Sequence, residues 1–319
     1  MLFRSEYSLL QLAQALIQDH HAEITTMTGK LDTLNALGLI SRLRRAPHEH
    51  KGDAGKVILV GGAAGMAGAL LLAGNASLHL GAGWTILEMF DSASAHADYH
   101  QPELMIRLVN PNPIESLKQS QPDALAIGPG LGRSDLAIEW LKASLAHDAA
   151  LVIDADALNL IADSKELLQA LQLRNQHYPN QTVLTPHPGE AARLLGQTTT
   201  EIQSDRLGSV EKLVSLTQSI VILKGQHTLI NAPNKVTLQC KDGNPGMGIG
   251  GMGDVLTGSI SAIAAQGVRH NVNLWEASCI AVQLHASAAD KLVQKGTGPI
   301  GLTPSETILE MRSILNNLL

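Results

Sequence analysis

Short apolar runs alternate along the chain with longer helical patterns, and each run ends in glycine or in polar residues. The runs that predict strands are VILV (57–60), TILEM (85–89), DALAI (123–127), LVID (151–154), TVLT (182–185) and IVIL (220–223). Helical patterns lie between most of them, at 135–146, 163–171 and 205–217. A repeated unit of strand, loop and helix is typical of a parallel sheet with helices on both faces. The pattern therefore predicts an α/β fold.

The segments before and after these repeating units are expected to have other secondary structure. Residues 228–230 and 236–238 predict an antiparallel hairpin at an edge of the sheet. Three further helices are expected at 254–266, 273–295 and 304–318. Near the start of the chain, leucines recur at helical spacing at positions Leu9, Leu12, Leu16, Leu31, Leu34 and Leu37. We interpret residues 1–45 as a helical N-terminal extension and residues 46–319 as one domain.

Composition narrows the class of protein. Hydrophobic residues make up 45% of the 319 positions and charged residues 16%, which is typical of a globular chain with a large core. The net charge is −6 and no long Lys/Arg run is present, so a nucleic-acid partner is not expected. Residues 57–87 lack charged side chains other than histidine, but glycines interrupt them, and a buried strand, loop and helix explains them better than a membrane span.

The two cysteines, Cys240 and Cys279, are far apart and form neither a metal-binding spacing nor a disulfide framework. The N-terminal residues carry charges early and lack the apolar segment of a signal peptide. Both features favour a reducing compartment, and we expect a cytoplasmic protein.

The stretch GMGIGGMGDVLTG (246–258) carries the sharpest chemical signal. Glycines allow backbone N–H groups to approach an anion, and the start of the helix that follows adds partial positive charge. The carboxylate of Asp254 at this point could deprotonate a hydroxyl group that attacks a phosphate. The alternative is structural, with Asp254 as the N-cap of the helix and the glycines as a tight turn.

Other polar clusters also follow predicted strands, where open α/β sheets bind ligands. In LKGQHT (223–228), Lys224 and Thr228 could bind a nucleotide, although a lysine exposed to solvent at a strand end is an equal alternative. The prolines on both sides of His187 restrict its backbone, which suits a ligand contact, but a surface histidine is also common. GPGLG (128–132) could let a ligand approach closely, or it could be a plain turn.

The acids of DAD (154–156) could hold magnesium through water or cap the next helical turn. We expect no transition metal, because no His/Cys cluster is present. Magnesium needs only phosphates and one or two carboxylates.

Seven segments follow one another in an order that resembles the ADP- or ATP-dependent NAD(P)H-hydrate dehydratase family. They are HKGDAGKVILVGGAAGMAGALLLAG (50–74), QPELM (101–105), IGPGLG (127–132), VIDADALN (152–159), LTPHPGEAARLLG (184–196), VILKGQHTLI (221–230) and GNPGMGIGGMGDVLTG (243–258). The resemblance covers about residues 48–318. It implies a ribokinase-like fold, in which a mostly parallel sheet carries helices on both faces.

The resemblance also implies a reaction and a set of site residues. The reaction is the repair of the (6S)-hydrate of NADH or NADPH: ADP or ATP, with Mg²⁺, phosphorylates the ring hydroxyl, and phosphate then leaves. Asp254 would be the catalytic base, and Glu190 matches an acid that organises magnesium in related kinases. The matching positions for the hydrated dinucleotide are Ala69, Gly132, His187 and Asp254. Those for the nucleotide are Lys224, Gly225, Gln226, His227, Thr228 and Gly253.

Some family features are expected to differ in this chain. Many relatives are fused to an epimerase, which about 50 residues before the domain cannot hold, so we expect a dehydratase alone. Many also have Ala and Thr where this chain has Gly248 and Met252. The family tends towards homotetramers. Two other functions remain open, namely a vitamin-precursor kinase of the same superfamily and a nucleotide-binding regulator without turnover.

Overall fold

A computed structural model describes residues 30–319 and contains a ten-stranded sheet at its centre. The strands are β1 (Leu31–Thr33), β2 (Lys56–Gly61), β3 (Trp84–Met89), β4 (Met105–Leu108), β5 (Ala124–Ile127), β6 (Ala150–Ile153), β7 (Thr182–Leu184), β8 (Ile220–Leu223), β9 (Leu229–Asn231) and β10 (Thr237–Gln239). Their order across the sheet is β1-β10-β9-β8-β7-β6-β5-β2-β3-β4. Neighbouring strands run parallel except that β9 runs antiparallel to both β8 and β10.

Eleven α-helices and two short 3₁₀ segments, Leu37–Leu43 and Pro245–Met247, complete the described part of the chain. The α-helices are α1 (Ala67–His79), α2 (Pro113–Ser120), α3 (Asp135–Ala146), α4 (Ala155–Asp163), α5 (Lys165–His177), α6 (Pro188–Leu195), α7 (Thr199–Ser204), α8 (Arg206–Thr217), α9 (Met252–His270), α10 (Leu274–Gln294) and α11 (Pro304–Leu318). Within residues 30–319 we find no helix that is both long and apolar enough to cross a membrane.

The core has two layers, one on each face of the sheet, because successive side chains of a strand point to opposite faces. In β2, Val57 and Leu59 pack on the face that α1, α9, α10 and α11 cover. Ile58 and Val60 pack on the other face, which α2 to α8 cover. Both layers are buried, which explains why these strands appear in the sequence as continuous apolar runs and not as alternating ones.

Most of the predicted elements are confirmed within a few residues. All six predicted strands are present, and so are the three C-terminal helices. The hairpin of β9 and β10 is also present, but its expected place at the edge is wrong, because β1 pairs with the outer side of β10. The sequence pattern did not reveal β4, which lies at the opposite edge of the sheet and is largely exposed.

The helical interpretation of residues 31–43 is wrong at its start. Leu31–Thr33 forms a strand that pairs in parallel with Thr237–Gln239, and a 3₁₀ segment follows at Leu37–Leu43. Buried Leu34, Ile40 and Leu43 join the same core layer as α9 and α10. Pairing with the sheet and burial in this layer outweigh the local leucine spacing. Residues 1–29 of the predicted extension lie outside the described residues.

Close packing of α9 on α1 places the start of α9 over the carboxyl ends of β5 and β6. The contact depends on Gly258, where an added Cβ atom would lie 1.9 Å from the backbone oxygen of Ala73. A side chain at this position would force the helices apart. The glycine-rich stretch therefore also serves helix packing, which brings Asp254 to the strand ends.

Candidate functional site

The first turn of α9 forms one wall of the candidate site. Gly251 caps the helix with a φ of +97°, a conformation that favours glycine, and Asp254 is the third residue of the helix. The predicted structural alternative for Asp254 as the N-cap is therefore wrong. Burial raises the pKa of Asp254 to about 7, the Asp154 carboxylate raises it as well, and the Lys224 ammonium opposes them. Asp254 accepts no hydrogen bond from the described residues, so its carboxylate is free to take up a proton.

A buried ion pair lies directly beside this helix start. Lys224, which follows β8, places its Nζ 2.8 Å from Oδ1 of Asp154, which follows β6. The other oxygen of Asp154 accepts a hydrogen bond of 2.8 Å from Thr257 Oγ1, one turn after Asp254. A Cβ atom at Gly253 would lie 3.2 Å from Lys224 Nζ, so the backbone at the start of α9 approaches the lysine closely. Asp154 thus joins β8 and α9.

The electrostatics of the ion pair keep Lys224 charged. Burial alone would lower the pKa of Lys224, but the carboxylates of Asp154, Glu190 and Asp254 together raise it. The Lys224 side chain is 20% exposed to solvent, and the Asp154 side chain is only 2% exposed. The interpretation of Lys224 as a solvated strand-end lysine is therefore wrong. Asp154 occupies the N-cap position of α4 but makes no side-chain capping bond, so the capping alternative is also wrong.

His187 and Glu190 form a reciprocal capping box at the start of α6. Nδ1 of His187 accepts from the backbone N–H of Gly189 at 2.9 Å, and Glu190 Oε2 accepts from the backbone N–H of His187 at 2.8 Å. Helix α6 begins at Pro188. The His187 side chain remains 56% exposed, whereas that of Glu190 is 6% exposed. His187 is therefore fixed in place and still accessible.

Glu190 connects this capping box to the ion pair. Its Oε2 lies 4.0 Å from Lys224 Nζ. Burial raises the pKa of Glu190, Lys224 opposes this effect, and Asp154 adds to it. Three carboxylates, those of Asp154, Glu190 and Asp254, thus influence a single ammonium group.

Two glycine loops lie farther along the same sheet edge. The loop after β5 contacts the loop after β2, where Ala63 donates its backbone N–H to the oxygen of Gly130. Gly132 donates its backbone N–H to Oδ2 of Asp156 at 2.9 Å. Ala69 lies in the first turn of α1, close to these loops in the chain and in space. Gly132 and Ala69 thus lie near the carboxyl ends of β5 and β2, at a different part of the sheet edge from Lys224.

The segment Lys224–Thr228 forms an exposed turn between β8 and β9. Thr228 Oγ1 donates to the oxygen of Gly225 at 3.1 Å. Arg206 of α8 donates to the backbone oxygens of Leu223 and Lys224 at 3.1 and 3.3 Å, which fixes the start of the turn. Within the predicted nucleotide segment Lys224–Thr228, only Lys224 takes part in the buried ion pair with Asp154.

The structure brings together Asp254, Gly253, Lys224 and Glu190 from the predicted set, and His187 lies beside Glu190. Sequence reasoning missed the contact of Asp154 with Lys224 and the roles of Thr257 and Arg206. A hint for Asp154 was its place after a buried strand, whereas nothing in the sequence pattern indicated Arg206. Among residues 30–319 no group of three or more His, Cys, Asp or Glu side chains could hold a metal ion.

Comparisons with known proteins identify the family of the chain. A family model described as NAD(P)H-hydrate dehydratase matches residues 57–310. An ADP-dependent (S)-NAD(P)H-hydrate dehydratase of Neisseria meningitidis is 35% identical over 280 residues, which are 86% of this chain and 89% of that protein. A bifunctional NAD(P)H-hydrate repair enzyme of Vibrio cholerae is 38% identical over 273 residues, 84% of this chain and 51% of that protein.

Solved structures give the same result. The ADP/ATP-dependent NAD(P)H-hydrate dehydratase of Bacillus subtilis is similar with a TM-score of 0.76 and 25% identity, over 90% of this chain and 99% of that chain. The fold is that of the ribokinase-like superfamily, as predicted. The chain spans about half the length of the bifunctional relatives that it matches. Since the family model covers most of the sequence, the chain belongs to the NAD(P)H-hydrate dehydratase family.

Proposed function

We propose that this protein dehydrates the (6S)-hydrate of NADH or NADPH at the expense of ADP or ATP. The observation that carries the proposal is a free carboxylate, Asp254, whose pKa is raised to about 7 and which lies beside Lys224 at the N-terminus of a glycine-rich helix. A base with a pKa near neutrality and a cradle for phosphate are the two groups that phosphorylation of a hydroxyl requires.

The proposed first step is phosphoryl transfer to the ring hydroxyl of the hydrate. Asp254 takes the hydroxyl proton while the oxygen attacks the terminal phosphorus of the nucleotide, and the bond from that phosphorus to the bridging oxygen breaks. The backbone N–H groups at the start of α9 and the ammonium of Lys224 stabilise the charge on the transferred group. Because Lys224 is bound to Asp154, little reorganisation is needed when charge develops.

The second step converts the phosphorylated hydrate into the reduced dinucleotide. The ring carbon–oxygen bond breaks, and phosphate leaves with the electron pair. A neighbouring ring carbon loses a proton, which the departing phosphate or solvent takes up, and the double bond forms. Hydroxide is a poor leaving group, and phosphate is a much better one. The nucleotide is therefore consumed to improve the leaving group, and each turnover releases one phosphate and one reduced dinucleotide.

The two substrates are assigned to different sides of Asp254. We place the nucleotide on the β8 side, at Lys224–Thr228 and Gly253, because Lys224 and the amides of α9 lie there. The hydrated dinucleotide takes the side of Ala69, Gly132 and His187, with its hydroxyl at Asp254. The exposed ring of His187 supports this, since its backbone is already fixed by the capping box.

Magnesium is included in the proposal as a companion of the nucleotide phosphates. The donor set fits, because Glu190 and Asp154 are buried carboxylates at the same ammonium and each of their oxygens retains a lone pair for water or metal. When bound, Mg²⁺ would neutralise phosphate charge. The Bacillus subtilis relative was crystallised with ATP and Mg²⁺, which supports the same choice.

One assay tests the proposed function. Hydrated NADH, Mg²⁺ and either ADP or ATP are mixed with the protein, and the absorbance of reduced nicotinamide is followed together with free phosphate. We expect both products to appear at equal rates and only with a nucleotide present. Formation of a stable phosphoester from another hydroxyl compound, without any NADH, would favour the vitamin-precursor kinase. Nucleotide binding without any turnover would favour a regulator.

Two further properties are proposed from the family resemblance alone. We expect a homotetramer, which light scattering on the purified protein would test, and a cytoplasmic location. The preference between ADP and ATP follows directly from the assay above, because the initial rates with the two donors are compared at equal concentration.

A further inference from the structure

The backbone N–H groups that lead up to Asp254 form one continuous unpaired run. The N–H groups of residues 246–248 are occupied, because they donate to the second 3₁₀ segment and its N-cap. The next backbone hydrogen bond along the chain runs from Val255 to the oxygen of Gly251. Between them, the N–H groups of residues 249–254 donate to no other described residue. We call residues 249–254 the amide run.

Asp290 of α10 holds the chain just before the amide run. Its Oδ2 atom accepts a hydrogen bond from the backbone N–H of Gly243 at 2.8 Å, and its Oδ1 atom accepts one from Nδ2 of Asn244 at 2.9 Å. The Oδ1 atom of Asn244 in turn accepts a hydrogen bond from the backbone N–H of Gly246 at 3.0 Å. A relay of side-chain hydrogen bonds therefore extends from α10 through Asn244 to the 3₁₀ segment.

Helix α10 also supports the far end of the amide run. Met252, which lies inside the run, is buried in one cluster with Ala289 of α10, and Met247 packs against the same cluster. Residues 248–250 are exposed, and a Cβ atom added at Gly250 would meet no described atom within 4 Å. The middle of the loop is therefore fixed mainly through its two ends, and α10 contacts both of them.

A carboxylate suits position 290 because two donors must be accepted at once. Each oxygen of Asp290 accepts one hydrogen bond, whereas an asparagine could accept from Gly243 but would place its NH₂ group against that of Asn244. Rotating the Asn244 amide would only move the conflict, because its NH₂ group would then face the N–H of Gly246. The relay therefore requires one acid and one amide at these two positions.

We propose that Asp290, acting through Asn244, is a positioning residue for phosphoryl transfer. The proposal rests on the proposed function, in which amides at the start of α9 stabilise the charge of the transferred phosphate. Amides that are fixed before the reaction do this without reorganisation, and a small displacement of such groups is costly. Both oxygens of Asp290 are occupied by the loop, so its contribution is the geometry of the amide run.

The test exchanges the acid and the amide in the full chain and follows NADH formation from the hydrate and ADP or ATP. Asp290→Asn should lower kcat about 10- to 100-fold. The KM for the nucleotide should change much less, because interactions formed mainly in the transition state act on kcat. The double variant Asp290→Asn with Asn244→Asp should recover most of the lost kcat, since the same hydrogen bonds then form with donor and acceptor reversed.

Ser287→Ala is the matched control, because Ser287 lies on the same helix and donates to Asp242 of the same loop at 2.6 Å. It should lower Tm slightly and leave kcat unchanged. Asn244→Ala keeps the bond between Asp290 and Gly243, should also lower kcat, and replaces Asp290→Asn if that variant does not fold.

Three results would overturn the proposal. They are an unchanged kcat in a folded Asp290→Asn or Asn244→Ala variant, a double variant without recovery, and an equal loss of kcat in Ser287→Ala. A lower Tm with unchanged kcat would show that Asp290 is only structural. Wild-type protein that forms no NADH with either nucleotide would instead refute the proposed function.

Discussion

Replacing Asp254 by asparagine should remove most turnover and, at the same time, stabilise the protein at neutral and alkaline pH. The turnover number is expected to fall about 100- to 10,000-fold, the usual range for loss of a general base. The change in stability follows from the raised pKa, which is 3.8 for an ordinary aspartate and about 7 for Asp254.

The pKa shift determines the pH range in which the gain in stability appears. In the unfolded chain the carboxyl ionises near pH 3.8, whereas in the folded protein it ionises near pH 7. Ionisation therefore favours the unfolded chain, by an amount that grows from about pH 4 to pH 7 and is constant above that. A shift of about 3 units corresponds to about 4 kcal/mol. The neutral amide of the Asp254→Asn variant does not ionise and therefore avoids this cost.

The assay is thermal unfolding of both proteins from pH 4 to pH 8. Near pH 4 the Tm values should nearly coincide, and at pH 8 Asp254→Asn should melt several degrees higher, at roughly 2 °C for each kcal/mol. Asp163→Asn is a control of opposite sign, because hydrogen bonds from Arg193 and Arg133 lower the pKa of Asp163. It should melt lower than the wild type at pH 8. A Tm difference for Asp254→Asn that does not vary with pH would refute the reasoning.

Substitutions at three other positions, with one control, test single contacts of the site and the fold. Asp154→Asn should lower the free energy of unfolding by about 1–3 kcal/mol, because Lys224 loses its closest carboxylate. The same change should move the acid limb of the pH–rate profile to lower pH, because the Asp154 charge raises the pKa of Asp254. An acid limb that does not move would contradict this. His187→Ala and His187→Asn should both weaken binding of the hydrate in calorimetry. Only His187→Ala should lower Tm, because asparagine can replace histidine as the N-cap of α6. Normal binding of the hydrate by both variants would remove His187 from the dinucleotide site. Gly258→Ala should lower the free energy of unfolding, measured by chemical denaturation, by about 1–3 kcal/mol, because the added Cβ would meet the Ala73 backbone oxygen. Gly68→Ala is the control and should not lower it, because nothing lies within 4 Å of that position. Equal effects of the two substitutions would contradict the packing argument.

The repeating unit of the fold was predictable because its strands are buried on both faces. Such strands appear as apolar runs that end in glycine or polar loops, and β2, β5, β6 and β8 were all recognised in this way. Edges were harder. Strand β4 is exposed and lacks a continuous apolar run, and β1 consists of three residues whose pairing partner lies about 200 positions later in the chain.

The candidate site was predictable where a single segment supplies both a glycine-containing loop and the reactive or charged side chain. The stretch that contains Gly253 and Asp254 meets this condition, and so does the turn after β8 with Lys224. The contact of Lys224 with Asp154 joins residues 70 positions apart, and the sequence separation gives no indication of it.

The measurement that tests the central claim most directly follows one oxygen atom. Hydrated NADH is labelled with ¹⁸O in its ring hydroxyl and incubated with the protein, Mg²⁺ and ADP or ATP, and the released phosphate is analysed by mass spectrometry. If the hydroxyl attacks phosphorus and leaves as phosphate, the label must appear in phosphate, one atom for each NADH formed. Label that appears only in water while NADH forms would show direct loss of hydroxide and would contradict the phosphorylation route proposed for Asp254.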